Sequence, residues 1–371
     1  MTVLAAHASW IDASRREPEG PLAPLQLVAP DGSLTEHGRA YGVDATLASS
    51  LYRDMVLGRR LDSEGLALQR QGELSLWLMS WGQEAAQVGS IRALRPSDMV
   101  FPSYREHVAA MCRGITPGEI ASQWRGVSHS GWRPDDRRFH IYSLVLGTQT
   151  LHAAGYATGV AMSDSDEIVA VYFGDGAASQ GDVNEALNWS AAKSLPLLFF
   201  CQNNQWAIST PTSQQMGAAL HQRAAGFGMT SFHVDGNDVL AVHAVTQAAA
   251  DHIRSGGGPA FIEAQTYRRA GHSSSDDPGR YRTNDEVASW ELRDPVTRME
   301  ALLRGLGISD GFFGEVQEQA DQLATEMRAA CRSLPRPDLA DLFDNVYAEA
   351  HPTVTAERRQ FLAHRASLEG V

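Results

Sequence analysis

Four short segments between Ile168 and Thr266 constrain the fold of this chain more than any other feature. They read IVAVYF (168–173), PLLFFC (196–201), TSFHV (230–234) and AFIEAQT (260–266), rich in β-branched and aromatic residues and each of strand length. Helical spacing fills about 182–193 and 238–254, and the second stretch stops at the turn Gly256–Gly257–Gly258–Pro259. Strands that alternate with helices require right-handed crossovers and a parallel sheet. The predicted class is therefore α/β, a doubly wound and mostly parallel sheet.

The remaining segments fit around that sheet. Leu47, Leu51 and Met55 form a helical stripe between Asp44 and Arg70, and a small-residue helix is expected over Gln83–Leu94. SDMVFPSYREH reads as a short strand ending in the loop Ser103–Tyr104–Arg105. Residues 126–140 read as a long polar loop, and Gly147–Met162 as a closely packed helix. Three parts are expected: an N-terminal extension (1–43) whose residues 1–40 wrap over a surface, a binding domain (44–283), and a C-terminal helical region (284–371) packed on that domain. The helices of the last part, over 284–330 and 353–368, read as charged and peripheral.

Composition narrows the function. With 31 basic and 44 acidic residues the chain carries −13 charges, which argues against nucleic acid or an anionic membrane as the partner. An anionic ligand needs a local cluster of donors instead. Cys112, Cys201 and Cys331 are scattered without a CxxC spacing, as expected of a cytoplasmic protein without disulfides or thiolate metal sites. No apolar run approaches a membrane span, and the first residues lack the core of a signal peptide.

The chemistry concentrates in YFGDGAASQGDVNEALNWSAAKSLPLLFFCQNNQWAIS, Tyr172 to Ser209. Ligands of open parallel sheets bind beyond the carboxyl ends of the strands. One predicted strand delivers Gly174–Asp175–Gly176 to that edge, and the next delivers Asn203–Asn204 one crossover later. A carboxylate and a side-chain amide are hard oxygen donors of the kind Mg²⁺ takes, and glycines admit a diphosphate close to the backbone. Taken singly, Asp175 reads as a turn residue, Cys201 as core, and His107, His129 and His272 as loop histidines.

The GDG…NN element resembles the thiamin-diphosphate motif. PSYREH (102–107), GTQTLHAAGYATG (147–159) and TYRRAGHSSSDDPGRYR (266–282), in that order around it, resemble the alpha subunit of the decarboxylating component of 2-oxo acid dehydrogenase complexes. The likeness runs from about Pro24 to about Ala350, and AISTPTSQ and HSSSDDPGRYR look closest to branched-chain members. The resemblance implies Mg²⁺ ligands at Asp175, Asn204 and the backbone carbonyl of Trp206. It implies diphosphate contacts from Tyr104 and Arg105, backbone contacts from Gly176 and Ala177, cofactor contacts near Ser143 and Leu144, and Leu146 bending the cofactor. His272 would reach its reacting end, and Ser143, Thr148 and Gln149 match the positions of a structural K⁺.

Two departures stand out: Gln202 occupies a position where branched-chain members carry a phosphate-touching Arg, and YSLVLGTQ lacks the family's usual residues before the cofactor-bending position. No Glu matches the pyrimidine-binding half of a thiamin site, which the family takes from a beta subunit. The resemblance thus implies half an active site, two alpha and two beta chains, and a lipoyl-bearing acyltransferase that receives the acyl group. The expected reaction is oxidative decarboxylation of a small 2-oxo acid, branched-chain acids favoured over pyruvate or acetoin. A non-catalytic cofactor-binding subunit is the alternative of another class. A self-contained thiamin lyase would need both halves in one longer chain.

Overall fold

The computed structural model describes residues 23–163, 165–344 and 346–369. Its central sheet has β1 (Met99–Phe101), β2 (Val169–Gly174), β3 (Leu197–Asn203), β6 (Thr230–Asp235) and β7 (Ala260–Gln265) in the order β1-β2-β3-β7-β6. Every neighbouring pair is parallel. A small antiparallel hairpin, β4 (Trp206–Ala207) and β5 (Thr210–Pro211), projects beyond β3. No described helix is long and apolar enough to cross a membrane.

Helices cover both faces of the sheet, which explains why β2 and β3 read as continuous apolar runs. Along them the side chains alternate between two cores. Ala170, Tyr172, Leu198 and Phe200 point to one, and Val169, Val171, Leu197 and Phe199 to the other. Glu84–Ala93 and Val239–Arg254 cover the first face. Their close crossing needs Gly89, where a Cβ would sit 2.7 Å from the Val239 carbonyl oxygen. Thr148–Met162, Gly181–Ala192 and Leu220–Gly226 cover the second.

Three expectations need correction. Residues 24–28 do not wrap over a surface. Leu25 bridges Val234 in parallel and continues the sheet past β6, and Leu25, Leu27 and Val28 are buried. An open edge of unpaired backbone requires such a cover. The earlier part of the extension lies outside the described residues.

The C-terminal helices, Asn284–Glu291, Pro295–Gly305, Asp310–Ser333 and Pro352–Glu369, are not all peripheral. Arg298, Met299, Leu302 and Leu303 are buried, and Val316, Ala320, Ala324 and Met327 face the long helix Ala45–Arg70. The polar loop 126–140 also contains a helical turn, Pro134–Arg137, and an anchor in which Trp132 Nε1 donates to the Phe139 carbonyl at 2.9 Å.

Candidate active site

A cavity of about 400 Å³ opens at the carboxyl ends of β2 and β3. β2 contributes Gly174, Asp175 and Gly176, followed by Ala177, and β3 contributes Gln202, followed by Asn204. The hairpin adds Trp206 and Ala207, the loop after β1 adds Ser103 to Glu106, and the loop after β7 adds His272. Ser143, Leu144, Leu146 and Gln149 form another wall. Among the cofactor, metal and catalytic residues that the resemblance implied, Thr148 is the one that does not line the cavity.

Asp175 is buried, and its Oδ2 accepts from Thr212 Oγ1 at 3.1 Å and Gln215 Nε2 at 3.0 Å. Burial pushes its carboxyl above the ordinary range, against the downward pull of these hydrogen bonds. Asn204 donates from Nδ2 to Gln83 Oε1 at 3.3 Å and accepts the Trp206 backbone N–H on Oδ1 at 3.3 Å. The Trp206 carbonyl accepts Arg268 Nη1 at 3.1 Å. Asn204 Oδ1 and the Trp206 carbonyl each keep acceptor capacity for a further partner, whereas Asp175 Oδ2 already accepts two donors.

The backbone here is drawn tight. Gln205 and Ile208 have φ of 74° and 54°, a region costing a β-branched side chain about 1–3 kcal/mol. A Cβ at Gly176 would lie 2.8 Å from the Ala207 Cβ, so only glycine lets β2 and the hairpin meet.

The opposite wall is cationic. Arg105 is buried, and its guanidinium donates to the Met79 carbonyl at 2.5 Å and the His272 carbonyl at 3.0 Å. Its Nη2 also lies 3.3 Å from His272 Nδ1. Arginine only donates, so Nδ1 is the acceptor and a neutral His272 carries its proton on Nε2. Burial, then Arg105 and Arg268, push the imidazole down to about 4. Its backbone N–H is fixed on Asp276 Oδ2 at 2.7 Å.

Glu106 accepts from Ser103 Oγ at 2.8 Å and from Gln202 Nε2 at 2.6 Å, and burial raises its carboxyl. Three lining amides each keep a buried atom without a hydrogen-bond partner: Gln83 Nε2, Gln149 Oε1 and Gln202 Oε1. Such atoms occur elsewhere in the fold too, as at Ser190 Oγ and Thr246 Oγ1, but three around one cavity leave polar capacity for a ligand.

His107 belongs to the core beneath this wall. It stacks on Trp77 with centroids 4.4 Å apart, and burial pushes it down to about 3. His129 is exposed and outside the lining. Sequence reasoning missed Gln83, Glu106, Thr212, Gln215 and Arg268. Glu106 and Arg268 sit inside motifs quoted above, whereas nothing local distinguishes Gln83, which tertiary packing brings in.

Known proteins resemble this chain over most of its length. The model of the family described as dehydrogenase E1 component matches residues 52–334. The chain is 43% identical over 348 residues to 3-methyl-2-oxobutanoate dehydrogenase subunit alpha of Mycobacterium tuberculosis, covering 93% of this chain and 95% of that one. It is 33% identical to the pyruvate dehydrogenase E1 component subunit alpha of Acholeplasma laidlawii, over 86% and 93% of the two chains. It is 35% identical to the mitochondrial 2-oxoisovalerate dehydrogenase subunit alpha of Homo sapiens, over 85% and 73%. The chain belongs to the dehydrogenase E1 component family, whose chemistry depends on thiamin diphosphate.

Proposed function

We propose that this chain is the alpha subunit of a 2-oxo acid dehydrogenase that decarboxylates branched-chain 2-oxo acids and passes the acyl group to a lipoyl arm on a partner acyltransferase. The observation that carries the proposal is the meeting of Asp175, Asn204, Arg105 and His272 in one cavity at the strand ends. The M. tuberculosis relative, named for 3-methyl-2-oxobutanoate, supports the substrate class.

The donor set fits thiamin diphosphate with Mg²⁺. Asp175, Asn204 and the Trp206 carbonyl are hard oxygen ligands for an ion that takes its remaining ligands from phosphate and water. Gly176 lines the cavity beside Asp175, and Tyr104 and Arg105 supply an aromatic hydroxyl and a planar guanidinium for a diphosphate. The partnerless Gln202 Oε1 and Gln149 Oε1 favour polar or cationic company; for Gln149, with Ser143 and Thr148, we propose K⁺.

Thiamin diphosphate supplies the acidic carbon and the electron sink for loss of CO₂. The chain's own residues do the rest. Arg105 would hold the negative charge, Leu146 would support the cofactor from beneath, Gly176 and Ala177 would offer backbone contacts, and Ser143 and Leu144 would close the wall. His272 holds a proton at Nε2 near the reacting end, and its low basicity keeps it neutral at physiological pH.

A beta chain completes the site in this reading. Asp175 and Glu106 are the carboxylates lining the cavity among the described residues, and Glu106 is tied to Ser103 and Gln202. A further carboxylate for the pyrimidine must come from elsewhere. Val145 and Leu144 are 68% and 56% exposed beside the cavity, with Ile208 at 52%, an apolar rim suited to a partner. We infer two alpha and two beta chains, residues 44–283 as the cofactor-binding unit with 1–43 and 284–371 flanking it, and a cytoplasmic setting consistent with three free cysteines.

The test is CO₂ release from a panel of 2-oxo acids by the chain mixed with its beta chain. Preference for 3-methyl-2-oxobutanoate is expected, preference for pyruvate would overturn the substrate assignment, and cofactor binding without turnover would favour a non-catalytic subunit.

A further inference from the structure

Behind the cavity, on the sheet face covered by Leu220–Gly226, three metal-ligating side chains converge. His233 on β6 and Glu263 on β7 are direct partners in the parallel register, so their side chains share one face. His221 on the covering helix donates to Glu263 Oε2 from its backbone N–H at 2.9 Å, and its Nδ1 lies 2.7 Å from the same oxygen. The two imidazoles stack with centroids 4.5 Å apart and planes 11° from parallel. One ligand atom from each of the three residues lies within 4.8 Å of the others.

Two imidazoles and one carboxylate form a borderline donor set, suited to Zn²⁺ and poor for Mg²⁺. A tetrahedral Zn²⁺ with bonds of about 2.0–2.2 Å holds its ligands about 3.4 Å apart, which rotation of the half-buried histidines can supply. Glu263 is 3% exposed and preset by a second layer: Asn203 Nδ2 donates to its Oε1 at 2.7 Å.

We propose that His221, His233 and Glu263 bind one Zn²⁺-class divalent ion, with water at the fourth position, in a site separate from the Mg²⁺ site at Asp175. The two sites communicate through one chain of contacts. Glu263 holds Asn203, and the single Thr212 hydroxyl proton is shared between Asn203 Oδ1 at 3.2 Å and Asp175 Oδ2 at 3.1 Å. An ion at Glu263 therefore clamps the helix to the edge of the sheet and fixes the support of Asp175.

The experiment is calorimetric titration of Zn²⁺ into the full, tag-free chain saturated with Mg²⁺, beside His233→Gln and the double variant His221→Ala/His233→Gln. One Zn²⁺ per chain is expected, weakened at least about tenfold by His233→Gln and lost in the double variant. Equal affinity in the double variant, or no saturable binding to the unchanged chain, overturns the proposal. Should the double variant fail to fold, Co²⁺ absorption of the unchanged chain decides. Intense visible bands of four-coordinate nitrogen and oxygen ligation support the site, and the weak spectrum of a six-coordinate ion refutes it.

Discussion

Two buried polar clusters sit at strand carboxyl ends in this molecule, and they differ in one respect. At the end of β6, Asp235 Oδ2 accepts Arg298 Nη1 at 2.9 Å and Gln26 Nε2 at 2.6 Å, and its Oδ1 accepts the Asn237 N–H at 2.9 Å. Asp238 Oδ2 accepts the backbone N–H groups of Leu27 and Val28, each at 2.7 Å, and its Oδ1 caps the next helix through Ala241. Arg298 also donates to the carbonyls of Val28 and Ala29.

At the ends of β2 and β3, by contrast, Gln83, Gln149 and Gln202 keep buried atoms without partners. Burial raises a carboxyl in both clusters, Asp238 in the first and Asp175 and Glu106 in the second, so the difference lies in the unfilled amides. Saturated polarity braces a joint, whereas unsaturated polarity at equal depth waits for a ligand.

Arg298→Met tests the brace hardest. It leaves Asp235 and Asp238 buried without their cation, and denaturant unfolding is expected to show a loss of about 3–5 kcal/mol. A loss below about 1 kcal/mol would mean that the cluster does not hold the N-terminal segment.

His272→Ala probes the cavity. Cofactor affinity is expected to persist while acyl transfer to lipoamide slows by about a hundredfold. Because His272 is already neutral above about pH 4, the transfer profile of the unchanged enzyme should show no histidine ionisation near pH 6.5. Unchanged transfer in the variant would remove His272 from the chemistry.

Gln202→Arg restores a cation to a wall that already points Nε2 at Glu106. Thiamin diphosphate is expected to bind about tenfold tighter, the value of one charge-assisted hydrogen bond. Weaker or equal binding would mean that position 202 does not face the diphosphate.

The last test concerns His107, neutral in the fold down to about pH 3 and protonated below about pH 6.5 once unfolded. Between these values the unfolded chain binds the extra proton, so stability falls as pH falls, by up to about 1.4 kcal/mol per pH unit. His107→Phe lowers stability at neutral pH but should flatten this slope, as acid titrations of unfolding would reveal.

The sequence disclosed the sheet because strands buried on both faces leave uninterrupted apolar runs. It disclosed Asp175 and Asn204 because strand ends carry residues to a known edge. It concealed what depends on distant chain. Leu25 joins β6 across more than two hundred residues of sequence, and Gln83 reaches Asn204 only through the packing of its helix against the sheet. The apolar stripe of Val316, Ala320, Ala324 and Met327 was hidden among the charges of its helix, since one buried face in four positions barely changes composition.

The central claim is that Asp175 and Asn204 form a metal-dependent diphosphate site completed by a second chain. Calorimetric titration of thiamin diphosphate with Mg²⁺ tests it, on this chain alone, with its beta chain, and with Asp175→Ala in the same mixture. The account predicts tight binding in the mixture, weak binding alone, and no Mg²⁺-dependent binding in the variant. Unchanged affinity in Asp175→Ala, or no binding in the mixture, would contradict it.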